Sequence, residues 1–163
     1  VRSRGYLRAL AVSALALATS PFSPARIAAQ EPGADVVWTY LQELHTMVNR
    51  HRESAGCEPL AWHEGTARVA EAHSEDMYRQ DYFDHVAPDG TDVSRRLLGR
   101  GVTWHGSVAE NIARTVRGPG TVLELWLDSP PHRRNVEDCA FTHHGLGLFR
   151  DRWTQVLIED PDD

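Results

Sequence analysis

The chain has 163 residues, enough for one hydrophobic core with a short targeting extension but not for two cores of ordinary size. Its apolar fraction of 41% and charged fraction of 25% place it among globular proteins. A formal charge of −6 removes the electrostatic case for a nucleic-acid partner, which needs a clustered basic surface.

The N-terminus reads as a processing segment. Arg2, Arg4 and Arg8 make a positive start, residues 9–18 form an apolar run, and Pro21, Pro24 and the small residues up to Ala29 close it. Such a run is too short to span a bilayer as a stable helix and fits a secretory signal. Residues 1–29 are therefore expected to be a signal peptide cleaved after Ala29; cleavage after Ala25 and an uncleaved anchor are the alternatives. Residues 30–35 form a junction. Nothing further along is apolar enough to cross a membrane, so a secreted, extracellular product without a transmembrane segment is expected. Export sets the reading of the two cysteines. Cys57 and Cys139 lack the paired spacing of a metal cluster. In an oxidising compartment a disulfide between them is expected, with two buried thiols as the alternative.

Val37, Leu41, Leu44 and Val48 recur at helical spacing and predict a first helix over 35–54, capped by Asp35 and stopped by Gly56 and Pro59. A second helix follows Trp62, with Ala67, Ala70, Ser74 and Met77 along a face of small residues suited to close packing. Asp89-Gly90 marks a turn before a third helix over 93–100. Residues 102–104 and 108–113 read as extended. Gly118-Pro119-Gly120 is a breaker, after which Thr121 caps a fourth helix through Leu127. Two β-rich runs, 146–149 and 153–158, joined by Asp151-Arg152, predict a terminal hairpin, and 159–163 form an acidic tail. Helices first and strands late, with no repeating βαβ unit, define an α+β class.

Several short segments stand in a telling order: Asn49-x-x-Arg52, Pro59-Leu60-x-Trp62, Ala70-x-x-His73-Ser74-x-Asp76-Met77 and Phe83-x-His85-x-x-Pro88-Asp89-Gly90. They continue with 109–113 (Ala-Glu-Asn-Ile-Ala), Trp126-x-x-Ser129-Pro130-x-His132-Arg133-x-Asn135, Gly145-Leu146-Gly147 and Trp153-Thr154-Gln155-Val156. The ordered set over 36–158 resembles the CAP superfamily: cysteine-rich secretory proteins, antigen 5 and pathogenesis-related group 1 proteins, also called SCP domains. The resemblance implies a three-layer α-β-α sandwich, and the segment around Ser129-Pro130 is similar to the bacterial branch. Eukaryotic relatives line a cleft with two His and two Glu. His85 matches the first His and Glu110 the first Glu. Ser129 stands where the second Glu would be and Arg152 where the second His would be, while His132 offers an imidazole from a different place.

Two imidazoles and one carboxylate, from His85, Glu110 and His132, are a donor set that zinc accepts with a fourth position open. Imidazoles also suit copper and nickel, and no cofactor is required by the sequence. The alternative is that the three bond to one another and orient the loops of a cleft. Ser129, His132 and Asp128 offer the residue types of a catalytic triad, but Gly-x-Ser-x-Gly is absent and Ser129 before Pro130 reads as a helix terminator. Asn111 is expected to tie down a loop, His73 to pack, His143-His144 to be a loop pair, and Trp62, Trp104, Trp126 and Trp153 to build the core. The expectation is a non-enzymatic module that binds a lipid, cell-envelope component or extracellular protein at His85, Glu110 and His132, with Asn111 and Ser129 alongside. A peptidase or cell-wall hydrolase using the same cleft is the alternative.

Overall fold

The apolar spacing that begins at Val37 folds as helix α1 (Ala34–Ser54), which buries Leu41, Leu44 and Val48. The computed structural model describes residues 33–160, so the expected signal peptide and the last three residues of the acidic tail lie outside it. Gly33, not Asp35, is the N-cap, and no side chain caps the helix. Asp35 instead sits in the first turn, where a negative charge faces the positive end of the helix dipole. Gly56 ends the helix at φ +87, a left-handed turn that costs glycine little.

The Asn49-x-x-Arg52 segment acquires a physical meaning here. Asn49 Nδ2 donates to the Leu60 carbonyl (3.0 Å) and its Oδ1 accepts from the Leu60 N–H (2.8 Å). That pair fixes the entry to the short strand β1 (Ala61–Trp62). Arg52, fully buried, donates to the carbonyls of Glu58, Val136, Asp138 and Phe141. One guanidinium thus satisfies carbonyls from two loops, which a buried chain must do by some means.

Helix α2 (Glu64–Arg79) starts at His63, whose Nδ1 accepts from the Thr66 N–H. Helix α3 (Val93–Leu98) is capped by Asp92. Strand β2 is His105–Arg114, so 102–104 lie outside the sheet. Helix α4 (Pro119–Asp128) starts at Gly118, whose φ of +91 admits the turn, and Thr121 falls inside the helix rather than capping it. A further helix, α5 (Pro130–Glu137), follows at once. Its two prolines read as a stop in the sequence, yet proline in a first turn has no N–H to lose and a φ already suited to a helix. Strands β3 (His143–Phe149) and β4 (Arg152–Glu159) complete the chain, so His143 and His144 open a strand instead of forming a loop.

The four strands lie in the order β1-β3-β4-β2, with β1 parallel to β3 and the other pairs antiparallel. This mixed sheet is the middle layer of the α+β sandwich. On one face Leu44, Val48, Val122, Trp126, Val136, Trp153 and Leu157 join α1, α4 and α5 to the sheet. On the other, Val69, Ala70, Leu97, Val156 and Ile158 join α2 and α3 to it. Trp126 and Trp153 are core residues; Trp62 and Trp104 are only partly buried. Gly145 and Gly147 let β3 approach α2 so closely that a Cβ at either would collide with the backbone of Ala67 or Glu71.

Cys57 and Cys139 form a disulfide, with Cα atoms 5.0 Å apart, that ties the end of α1 to the loop after α5. Their separation of 82 residues corresponds to about 4–5 kcal/mol in the chain-entropy treatment. Among the described residues no helix is long and apolar enough to cross a membrane.

Candidate functional site

The site forms at the free edge of β2, where the loop after α2 meets the start of α5. Strand alternation turns Glu110 toward α2 and α3, and its neighbour Asn111 toward the opposite face. The loop that carries His85 is built from local bonds. Asp84 accepts from the Val86 N–H, Asp89 accepts from the Thr91 N–H, and Ala87 and Thr91 pair across the turn.

Arg96 of α3 anchors this loop to the strand. Its Nη2 donates to the His85 carbonyl (3.0 Å) and to Glu110 Oε2 (2.7 Å), while Nη1 donates to the Thr91 carbonyl. Glu110 Oε1 lies 3.0 Å from His85 Nδ1 and 3.6 Å from His73 Nε2. Only the first of these two is within hydrogen-bond range. His73 directs Nε2 to the Asp84 carbonyl instead (3.1 Å). Burial holds the His73 imidazole below its ordinary pKa, against the opposing pull of the Glu110 carboxylate.

Glu110 is buried while the His85 side chain is 47% exposed. With Nδ1 directed at Glu110, the exposed His85 ring keeps Nε2 for partners outside the pair. The His132 ring approaches from α5, its centroid 5.9 Å from that of His85 at 62°. Burial, and then the neighbouring His85, lower its pKa. The adjoining cleft, about 250 Å³, is lined by His85, Val86, Asp92, Val93, Val108 and Glu110, with Ala109 between the last two.

Asn111, fully buried, fastens α5 to the sheet. Its Nδ2 donates to the His132 carbonyl (3.2 Å) and to Gln155 Oε1 (3.0 Å), and its Oδ1 accepts from Asn135 Nδ2 (2.8 Å). Ser129 is the hinge between α4 and α5, extended at φ −92 and ψ 113, and its side chain makes no cap bond. Asp128 beside it is exposed, and among the described residues no hydrogen bond links Ser129, His132 and Asp128 into a proton relay. Arg152 is buried, ion-paired with Asp151 and with its guanidinium over the Tyr78 and Phe83 rings.

His85 and Glu110 are thus hydrogen-bonded to each other, and the His132 ring stands beside His85 without a side-chain bond to either. Both carboxylate oxygens of Glu110 have partners, and among the described residues no group of three His, Cys, Asp or Glu is arranged to hold a metal ion. Recruiting Glu110 as a ligand would break its buried pair with Arg96. So arranged, the trio does not fit a three-donor metal centre. Sequence reasoning missed Arg96, which looks like half of an exposed Arg95-Arg96 pair, and Gln155, which lies inside a motif but carries no sign of its partner.

The class of protein that this fold and cleft define is borne out by comparison. The chain belongs to the CAP family, the cysteine-rich secretory protein family, whose model matches residues 45–157. Over 124 residues it is 32% identical to the uncharacterized protein YkwD of Bacillus subtilis (strain 168), covering 75% of this chain and 48% of that protein. It is 35% identical over 132 residues to the uncharacterized membrane protein YlbC of the same organism, covering 77% of this chain and 38% of the relative. The chain thus spans half or less of the length of these curated relatives. Among solved structures, an extracellular SCP-domain protein from Bacillus anthracis str. Ames matches with a TM-score of 0.73 at 29% identity, over 87% of this chain and 45% of that one. An outer surface protein from Borrelia burgdorferi shares the fold, with a TM-score of 0.73 at 14% identity, over 80% of this chain and 98% of that one.

Proposed function

We propose that the protein is a secreted, non-enzymatic binding module that takes an amphiphilic cell-envelope component, a lipid above all, at the His85–His132 cleft. The observation that carries this reading is the commitment of Glu110. A carboxylate buried between Arg96 and His85 orients an imidazole and is not free to act as a base or ligand. Val86, Val93, Val108 and Ala109 give the adjoining cleft apolar walls, His85 and Glu110 line its polar side, and the His132 ring stands beside His85. That combination suits a ligand with an apolar body and a hydrogen-bonding head. Its volume of about 250 Å³ holds a short chain or branch rather than a whole lipid. Export accords with the charged and apolar pattern of residues 1–29 and with the extracellular relative from Bacillus anthracis.

A second reading, a hydrolase acting on peptide or cell-wall material, draws on the His85–Glu110 pair. An imidazole oriented by a buried carboxylate is half of a catalytic relay. The other half, a nucleophile or an activated water within reach, has no assigned residue.

Titration of the purified protein with lysophosphatidylglycerol below its micellar concentration separates the two. Stoichiometric binding that weakens at least tenfold in His85→Ala, with the lipid recovered intact, is the expected result. Binding indifferent to His85 overturns the assignment of the cleft. Recovery of cleaved lipid, or release of fragments from added peptidoglycan, transfers the site to the hydrolase reading.

A further inference from the structure

Asn111 begins a row of polar side chains that crosses three of the four strands and ends at α1. Gln155 Nε2 lies 2.9 Å from His144 Nδ1, and His144 Nε2 lies 2.7 Å from His45 Nδ1. Asn111, Gln155 and His144 are each fully buried, and the row ends at His45, half-buried on α1 beside the Trp62 ring. The row spans β2, β4 and β3 in turn, then reaches α1. A fully buried histidine in strand β3 therefore connects to the backbone of His132 through two amides.

The direction of every bond in this row is fixed from the cleft end. The His132 carbonyl can only accept, so Asn111 turns its Nδ2 toward it, and the same NH₂ group also donates to Gln155 Oε1. Gln155 must then present its own Nε2 to His144 Nδ1. His144 Nδ1 accepts, so a neutral His144 carries its proton on Nε2 and donates it to His45 Nδ1. The amide of Asn49 cannot compensate at the far end. Its two bonds to Leu60 fix its orientation with Nδ2 toward His45 Nε2 at 3.4 Å, and a neutral His45 whose Nδ1 accepts from His144 has no lone pair on Nε2 to receive it.

We propose that His45 and His144 form a proton-operated latch, which holds the His132 backbone to Asn111 when neutral and releases it when one proton is added. The only lone pairs open to that proton are His45 Nδ1 and His144 Nδ1. On the first it meets the His144 N–H, and on the second it meets the Gln155 amide. Passing the conflict along the row reverses Gln155 and then Asn111, which turns an oxygen toward the His132 carbonyl. Whichever bond yields, a proton taken up beneath α1 is incompatible with the intact row that reaches the cleft edge.

The surroundings set the latch to operate on the acid side. Burial lowers the pKa of His45 and lowers that of His144 well below the ordinary imidazole value. Arg52 on α1 and His143 on β3 oppose a positive charge on His144, and His45 itself adds to that effect. Among the described residues no carboxylate is bonded to either ring; Glu64 of α2 bonds the indole N–H of Trp62. The consequence for ligand affinity rests on the proposed binding role of the His132 side of the cleft, but the latch itself does not.

Two NMR measurements on the purified protein test it without any ligand. At neutral pH, long-range ¹H–¹⁵N spectra should find the proton of His144 on Nε2; a proton on Nδ1 overturns the proposal. In a titration toward acid, the side-chain amide of Asn111 should shift in one step together with the ring of His144, while the spectrum stays dispersed. His45→Gln keeps an acceptor for His144 Nε2–H and removes the titrating ring. That variant should lose the shared step, or move it by at least one pH unit, while the spectrum at neutral pH stays dispersed. An Asn111 step unchanged in His45→Gln, or one that coincides with global unfolding in both proteins, overturns the latch. Loss of lipid binding with an intact latch would count against the proposed function alone.

Discussion

Arg96 places one guanidinium nitrogen against both the Glu110 carboxylate and the His85 carbonyl, and so decides what the cleft can do. A buried ion pair gives little net stability over an apolar replacement, but removing one partner strands the other. Arg96→Met is therefore expected to destabilise the protein by about 3–5 kcal/mol, read from urea denaturation, through the uncompensated Glu110. A change near zero would mean that Glu110 is not held as described. At this scale much was legible. His85, Glu110, Asn111 and His132 sit in motifs whose order alone signals the family. Arg96 was not, because an arginine that folds back under a six-residue helix has the same local sequence as one that faces water. The Asn111–Gln155–His144–His45 row was illegible for the same reason: its members lie far apart in the chain and only strand register brings them together.

The elements were read well where periodicity is long and poorly where proline and glycine decide. Helix α1, the turn at Asp89-Gly90 and the β3–β4 hairpin follow directly from spacing and turn chemistry. Helix α5 did not, since Pro130 and Pro131 start a helix as readily as they end one. Ser129 then serves as the hinge that aims His132 at His85. The small face of α2 was legible, but its purpose appears only in the packing of Gly145 and Gly147 of β3 against it. Gly147→Ala would drive a methyl into the backbone of Glu71, with no flexible side chain to yield. The expected cost is at least about 1–3 kcal/mol by chemical denaturation. Gly120→Ala, inside α4 where a Cβ meets only the end of the Met47 side chain at 3.8 Å, serves as the control and should not destabilise the protein. Equal effects at the two sites would refute the close approach of α2 and β3.

Across the whole molecule, four imidazoles sit in places that disfavour their charge: His45, His73, His132 and His144. For each, burial is the first cause. A histidine whose folded pKa is depressed binds its proton more readily when the chain is unfolded, so unfolding takes up protons as the pH falls. The stability these groups contribute is fully present above the unfolded value of about 6.5 and is lost progressively as the pH drops through the folded values. The melting temperature is expected to fall from pH 7.5 to pH 5, with a slope reduced in His45→Gln. A flat or rising profile would contradict the burial of these rings. The disulfide does not titrate, so any loss over this range belongs to the histidines and other ionising groups and not to the bridge between α1 and the α5 loop.

Most depends on the claim that Glu110 is bound to Arg96 and orients His85, leaving the cleft a recognition surface instead of a metal-dependent active centre. Calorimetric titration of the metal-stripped protein with zinc, run beside His85→Ala and Glu110→Gln, tests that claim most directly. The arrangement described predicts no tight equimolar uptake, and any weak binding should be insensitive to Glu110→Gln. One zinc per chain, bound tightly by the native protein and lost in both variants, would mean that Glu110 leaves Arg96 to become a ligand, and would reopen the hydrolase reading.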